Sequence, residues 1–334
     1  MQTYIKINLS NIIDNYKEIQ KFTNKQIIAI IKDNAYGHGL IQVGKMLSSI
    51  NSFLAVSNIE EAITLRKNMV FSPILLLGRE DDAKIIFSLK IHQGVSSLEQ
   101  LKILAKQEIP ISIHLEIETG MFRLGIEEKD IDEAINIIKQ SKLRLKGIYT
   151  HFCSSDNSLQ IEIFKKVLLK FSSFNKLLIH TQASNYINQD LSFCNAIRVG
   201  LALYGYSPYL KLKPALKLIS PIIRIIPIKA NQKIGYDYLE STNEDGFIIT
   251  IPFGYSLGLS RLKKICFTYQ DKIYYQIGKS CMDMMMFFSN ENIPIKEIEI
   301  ISNENTTKLL ENNNEIIYYA LSSLSSSIKR IYEK

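Results

Sequence analysis

From residue 26 to residue 199 the chain repeats one theme, a short run rich in Ile, Leu and Val followed by a longer amphipathic stretch. The short runs predict strands at Gln26–Ile31, Phe53–Val56, Ile74–Leu77, Ile91–Val95, Ile111–Ile117, Leu145–Thr150, Leu178–His180 and Ala196–Val199. Between them, segments such as IEEAITLRK, SLEQLKILAKQ, EEKDIDEAINIIKQ and SLQIEIFKKVLLKFSSF place apolar residues three and four apart with charges opposite, the helical period. Eight strands each followed by a helix predict a (β/α)8 TIM barrel, an α/β fold. A doubly wound sheet would show a similar alternation, and periodicity alone leaves it open.

After about residue 215 the texture changes to closely spaced strand-like runs, LISPIIRIIPI, GFIITIPF, KICFTY and KIYYQI, with few helical intervals. The tail from Ile316 to Tyr332 returns to a helical pattern and a short strand-like end. The expected division is a barrel over residues 1–215, its first few residues free to join the later domain, and a smaller, mostly β C-terminal domain over 216–334.

Composition narrows the function classes. A hydrophobic content of 46% over 334 residues is enough for a sizeable core. No stretch approaches the roughly 18 apolar residues of a spanning helix, and MQTYIKINLS lacks the apolar run of a secretory signal. A cytoplasmic protein without membrane partners is expected. The net charge of +7 comes from dispersed lysines, with no arginine-rich or aromatic-interleaved patch to bind nucleic acid. Cys153, Cys194, Cys266 and Cys281 form no CxxC pair, which suits free thiols and disfavours structural zinc.

In a barrel of this kind the active site gathers at the C-terminal strand ends. There the sequence places Lys32, Ser57, Arg123, His151, Ser184 and the run Arg198, Val199, Gly200. A lysine ending an apolar strand is ordinarily a solvated terminator. At the mouth of an apolar barrel, however, desolvation would favour the neutral amine that Schiff base chemistry needs. His151 and His180 on adjacent strand ends also admit a metal-dependent hydrolase, although no HxH follows the first strand.

The segment IKDNAYGHG (Ile31 to Gly39) resembles the cofactor-lysine motif of alanine racemases, a lysine, one residue, then NAYGHG. IETGMFRLG (Ile117 to Gly125), YTHFCSSD (Tyr149 to Asp156), RVGLALYGYSP (Arg198 to Pro208), IPFGYSLGLSR (Ile251 to Arg261) and IGKSCMDMMM (Ile277 to Met286) resemble that family's further motifs in family order. The resemblance runs from Leu9 to Tyr332. It implies pyridoxal 5'-phosphate (PLP) as cofactor, alanine as substrate, D-alanine supplied for peptidoglycan, and a homodimer whose active sites lie at the interface.

By the same resemblance Lys32 carries the cofactor and serves one face of the substrate Cα, and Tyr255 from the other subunit serves the opposite face. Arg198 faces the pyridine nitrogen and His151 lies against the ring. Tyr36, Ser184 and the backbone of Gly200 and Leu201, near the start of the final barrel helix, hold the phosphate. Arg123 contacts the cofactor's phenolic oxygen, Met282 offers its backbone N–H to the substrate carboxylate, and Asp283 supports that loop. Taken without the resemblance, Tyr255 reads as a core or interface aromatic, Met282 as a core methionine, Arg123 as a surface cation and Arg198 as a helix cap.

Three positions depart from the family pattern. Many members carry a carbamylated lysine where this chain has Glu116, whose carboxylate supplies negative charge toward Arg123 without carbon dioxide. GYADG becomes GYSLG, with Leu257 replacing an acid, and a tyrosine common at the substrate entrance is Ser326. The last two bear on selectivity among alanine, serine and lysine. A non-catalytic PLP carrier on the same barrel would lack the second domain that contains Tyr255.

Overall fold

The computed structural model describes residues 2–262, 264–303 and 305–333. The chain divides into two compact units. One comprises Ile12–Ala35 and Leu40–Lys213; the other comprises Met1–Asn11, Tyr36–Gly39 and Pro214–Lys334.

Strand β1 (Tyr4–Asn8) precedes the first unit's strands, β2 (Gln26–Ile30), β3 (Phe53–Val56), β4 (Ile74–Leu76), β5 (His92–Val95), β6 (Ser112–Glu116), β7 (Arg144–Tyr149), β8 (Leu178–His180) and β9 (Ala196–Val199). Among the described residues β2 to β9 pair in parallel, and β9 returns to β2, closing the barrel. Closure excludes the doubly wound alternative. Each strand begins or ends within a residue of its expected place. The ladder thins before it stops: Ile31 N–H still donates to Ala55 and Leu77 N–H to Val56, both at 2.9 Å.

Amphipathic helices follow the early strands, for example Ile131–Gln140, which buries Ile131, Ala134, Ile135 and Ile138. The last two strands differ from expectation: each is followed by a 3-10 turn, Ser184–Tyr186 and Leu201–Tyr204. The segment SNYINQ lacks an apolar period, and its Ser and Asn side chains compete with the helical backbone. Gly205, at φ 102°, ends the second turn. The helix Leu9–Thr23, ahead of β2, is docked by buried Asn15, whose amide donates to the carbonyls of Leu203 and Lys213 at 3.1 and 2.8 Å.

The second unit is mostly β. Its further strands are β10 (Leu216–Pro221), β11 (Arg224–Ile228), β12 (Lys233–Ile234), β13 (Glu240–Ser241), β14 (Gly246–Ile251), β15 (Cys266–Tyr269), β16 (Lys272–Ile277), β17 (Met285–Ser289), β18 (Glu297–Ile301) and β19 (Lys329–Glu333). One sheet has the order β18-β10-β1-β19 and another β11-β14-β17-β16-β15. The two chain ends meet in the first, where β1 runs parallel to β19. Ile5 and Ile7 of β1 are fully buried while their neighbours alternate outward, the period of a half-covered strand. Among the described residues no helix is long and apolar enough to cross a membrane.

Candidate active site

Directly after β2 the backbone turns left-handed. Asp33, Asn34, Ala35 and Tyr36 have φ of 54°, 54°, 54° and 51°, a conformation costing about 1–2 kcal/mol per L-residue. Such strain persists only where the surroundings enforce it. Here Ala35 N–H donates to Ile31 at 3.0 Å, and Asn34 Oδ1 accepts from Leu40 N–H at 2.9 Å. Glu61 receives Asn34 N–H on one oxygen and the amide and hydroxyl of Ser57 on the other. Lys32 therefore stands at the start of a rigid turn. Its side chain is 39% exposed, with Asp33 Oδ2 at 3.9 Å. The apolar, desolvating surroundings expected for this amine are absent; it meets solvent and a carboxylate.

Beyond the turn, Gly37 (φ 78°) and Gly39 (φ 98°) pass through space that a Cβ would close, against the Leu321 carbonyl and the Tyr332 hydroxyl. Arg330 Nε donates to Gly37 O at 2.8 Å. Tyr36 is buried in this unit, its ring 6.0 Å from that of Tyr318.

Arg198 is the fixed point of the barrel interior, 5% exposed and on the penultimate residue of β9. Its Nη1 donates to His180 O at 2.6 Å and to His180 Nδ1 at 2.9 Å; its Nη2 donates to Thr150 O at 2.8 Å and to His151 Nδ1 at 3.2 Å. Both imidazoles must be neutral on the side facing a guanidinium, which only donates. Burial and the nearby Arg198, Arg123 and Lys32 charges push His151 down to about 4.

Ser184, also buried, accepts Gly200 N–H at 3.2 Å and Ala202 N–H at 3.1 Å. A hydroxyl has two acceptor sites and one donor. With both acceptor sites used, its remaining capacity is a hydrogen, which suits an anion. The start of a 3-10 turn, where Leu201 stands, replaces the helix start expected there.

Glu116, 6% exposed, ends β6 and accepts the Tyr149 hydroxyl at 3.3 Å. Burial raises its pKa, opposed by the charges of Arg198 and Arg123. Arg123 lies in the exposed loop after β6, within electrostatic reach of Glu116, Tyr149 and His151. The two loops after β6 and β7 are joined by Gln160, which donates to Thr119 Oγ1 and His151 O and accepts Cys153 N–H.

In the second unit the GYSLG and CMD segments form one structure. Tyr255 N–H donates to Cys281 O at 3.1 Å and Ser256 N–H to Met282 O at 3.0 Å. Asp283 accepts the Ser256 hydroxyl at 2.9 Å. Tyr255 and Met282 are 49% and 57% exposed, so neither is a core residue of this chain. Leu257 O accepts Ser325 N–H at 3.0 Å, which makes the departures at Leu257 and Ser326 neighbours.

The family model for the alanine racemase N-terminal domain matches residues 7–208, and that for the C-terminal domain matches 215–332. This chain belongs to the alanine racemase family. The alanine racemase of Lactococcus lactis subsp. cremoris is 30% identical, with 98% of this chain and 97% of that protein covered. The alanine racemase structure from Clostridium difficile superposes with a TM-score of 0.91 at 29% identity, covering 100% and 96% of the two chains. That from Bacillus anthracis with bound L-Ala-P gives 0.89 at 26%, covering 100% and 95%.

Within the alanine racemase frame the structure brings Lys32, Arg123, His151, Arg198 and Glu116 into one electrostatic neighbourhood at the barrel mouth. Ser184, Gly200 and Ala202 form a second cluster. Tyr255, Met282 and Asp283 form a third in the other unit. Sequence reasoning missed Glu61, Thr150 and Gln160. Glu61 and Gln160 sit on helices, where polar residues carry no special signal, and Thr150 reaches Arg198 through its backbone carbonyl, which no side-chain pattern marks.

Proposed function

We propose that the protein interconverts L- and D-alanine with PLP bound at the barrel mouth. The observation that carries this reading is Arg198, buried and held by two carbonyls and two neutral imidazoles in a barrel of the alanine racemase family. The donor set fits the cofactor. Lys32 offers an accessible amine to an aldehyde, Ser184 presents a hydrogen to a phosphate, and His151 offers a neutral ring to an aromatic one. When bound, PLP supplies the electron sink that acidifies the substrate Cα–H.

The chain's own residues would divide the remaining work. Lys32 Nζ anchors the cofactor and exchanges a proton on one face of Cα; the Tyr255 hydroxyl of the partner subunit exchanges one on the other. A half-exposed Tyr255 beside exposed Met282 and Met284 gives a second copy an apolar surface to cover, which supports the homodimer. Arg198 never gives up its proton, so it leaves the ring nitrogen unprotonated. Tyr36, Ser184 and the Leu201 amide would take the phosphate, while the Gly200 amide, already donating to the Ser184 oxygen, would act through that hydroxyl. Arg123 would serve the phenolic oxygen, with Glu116 as its counter-charge. The Met282 amide takes the substrate carboxylate, while Asp283 fixes that loop through Ser256.

The test is incubation of the purified, PLP-loaded protein with L-alanine, L-serine and L-lysine separately, followed by chiral chromatography. D-alanine is expected as the dominant product. No D-product from any of them overturns the reading; more D-serine or D-lysine than D-alanine replaces it with a broader racemase. Borohydride reduction should place the cofactor on Lys32. Size exclusion should give a dimer, and D-alanine should rescue a deletion strain if the product feeds peptidoglycan in the cytoplasm.

A further inference from the structure

Three imidazoles are joined nitrogen to nitrogen inside the barrel. His92, the first residue of β5, has Nδ1 3.1 Å from His114 Nε2. His114, in the middle of β6, has Nδ1 2.9 Å from His180 Nε2. His180, the last residue of β8, has Nδ1 2.9 Å from Arg198 Nη1. His114 and His180 are fully buried and His92 is half-buried. Barrel interiors are ordinarily filled by Val, Ile and Leu, and buried polar rings are tolerated only when partnered.

The proton positions follow from one end. A guanidinium only donates, so His180 Nδ1 accepts and its hydrogen is on Nε2. That hydrogen points at His114 Nδ1, which must accept, placing the His114 hydrogen on Nε2. The same step places the His92 hydrogen on Nε2. Burial lowers the pKa of all three, keeping each ring neutral with a single hydrogen.

We propose that His92 and His114 are positioning residues of the enzyme: with His180 they form a one-way hydrogen-bond relay that anchors the Arg198 guanidinium, and they act on the reaction only through it. The fold makes room for the relay. A Cβ on Gly147 would lie 2.3 Å from His114 Nδ1, and the β6–β7 register shifts between Ile113 and His114. Phe53 packs edge-on against both His92 and His114. Among the described residues no group of three or more His, Cys, Asp and Glu side chains is disposed to hold a metal ion. Each imidazole nitrogen within the row instead faces a matching one.

The kinetic consequence rests on the racemase reading, whereas the proton positions do not. Nitrogen-15 NMR of histidine-labelled, PLP-loaded protein reads which nitrogen bears each hydrogen. We expect Nε2–H on His92, His114 and His180. An Nδ1–H on His114 or His180 overturns the relay, whether or not alanine is racemised. His92→Leu removes the terminal acceptor and should shift the His114 signal. It should also lower kcat by about fivefold, the size of one hydrogen bond, with KM little changed. His92→Asn, whose amide oxygen replaces Nδ1, should restore both. Wild-type kcat and an unshifted His114 signal in folded His92→Leu overturn the positioning role. Absence of D-alanine from the wild-type protein defeats the racemase reading instead, and the NMR result still decides the relay.

Discussion

Tyr149 lies flat on His180, the ring centroids 4.9 Å apart and the planes 9° from parallel. Its hydroxyl donates to Glu116 Oε2 at 3.3 Å, and the Arg198 guanidinium carbon sits 5.0 Å from the ring centroid. Tyr149→Phe keeps the stack and removes the donor to a buried carboxylate. Leaving that acceptor short of a partner should cost about 1–3 kcal/mol, measured by urea unfolding. A variant as stable as wild type would show that the hydroxyl does not support Glu116.

Glu116→Gln tests the carboxylate separately. The change keeps the shape and an acceptor for Tyr149 while removing the negative charge that faces Arg123 and Arg198. At protein-like screening a charge pair several ångströms apart is worth about 2 kcal/mol. Alanine racemisation is therefore expected to slow by up to about thirtyfold. Unchanged kinetics together with an unmoved Arg123 would remove Glu116 as the counterpart of the family's carbamylated lysine.

Gly147→Ala would drive a methyl group onto His114, at 2.3 Å from Nδ1 and 2.6 Å from Cε1. The His114 ring belongs to a packed core and touches His92, His180 and Phe53. Overpacking of this kind costs typically about 1–3 kcal/mol, to be read from the urea midpoint. Destabilisation well below that range would mean the ring can move aside, contrary to its two short nitrogen contacts.

The barrel strands were legible because parallel strands covered on both faces read as unbroken apolar runs; all four residues of FLAV are buried. The strand-end rule then pointed to Lys32 and Arg198. What holds Arg198 was not legible. Its partners are the two residues that follow β7 and the last residue of β8, and the next contact along the row joins residues 66 positions apart, a pairing set by closure and register. The left-handed turn after Lys32 was not legible either, because it falls on four non-glycine residues, Asp33 to Tyr36, and its anchor Glu61 reads as a plain helical acid. The helix Leu9–Thr23 precedes the first barrel strand, so the alternation of strand and following helix does not mark it.

Gly254→Ala addresses the second unit. Its backbone is extended, so a side chain is conformationally tolerated, yet a Cβ would meet Met282 O at 2.2 Å and Cys281 O at 2.4 Å. Those carbonyls accept the Tyr255 and Ser256 amides. The substitution should therefore separate the GYSLG turn from the CMD loop. We expect kcat to fall by more than tenfold, the effect of misplacing a reacting group by about 1 Å, with barrel-bound cofactor absorbance retained. Retention of full activity would argue that Tyr255 is not placed by this lacing.

Acid stability should follow the histidines. His92 and His151 are both lowered to about 4 from an ordinary 6.5, chiefly by burial. The unfolded chain therefore binds protons that the folded one refuses between those values. Stability is fully present above pH 6.5, declines as pH falls toward 4, and is not recovered below it. Each depressed group contributes at most about 3 kcal/mol to that decline, and the fully buried His114 and His180 act in the same direction. Urea midpoints measured from pH 7.5 down to pH 4.5 should fall steadily, more shallowly in His92→Asn because one titrating group is gone. A midpoint independent of pH over that window would mean the imidazoles are not held neutral, and the hydrogen-bond direction from Arg198 to His92 would fail with it.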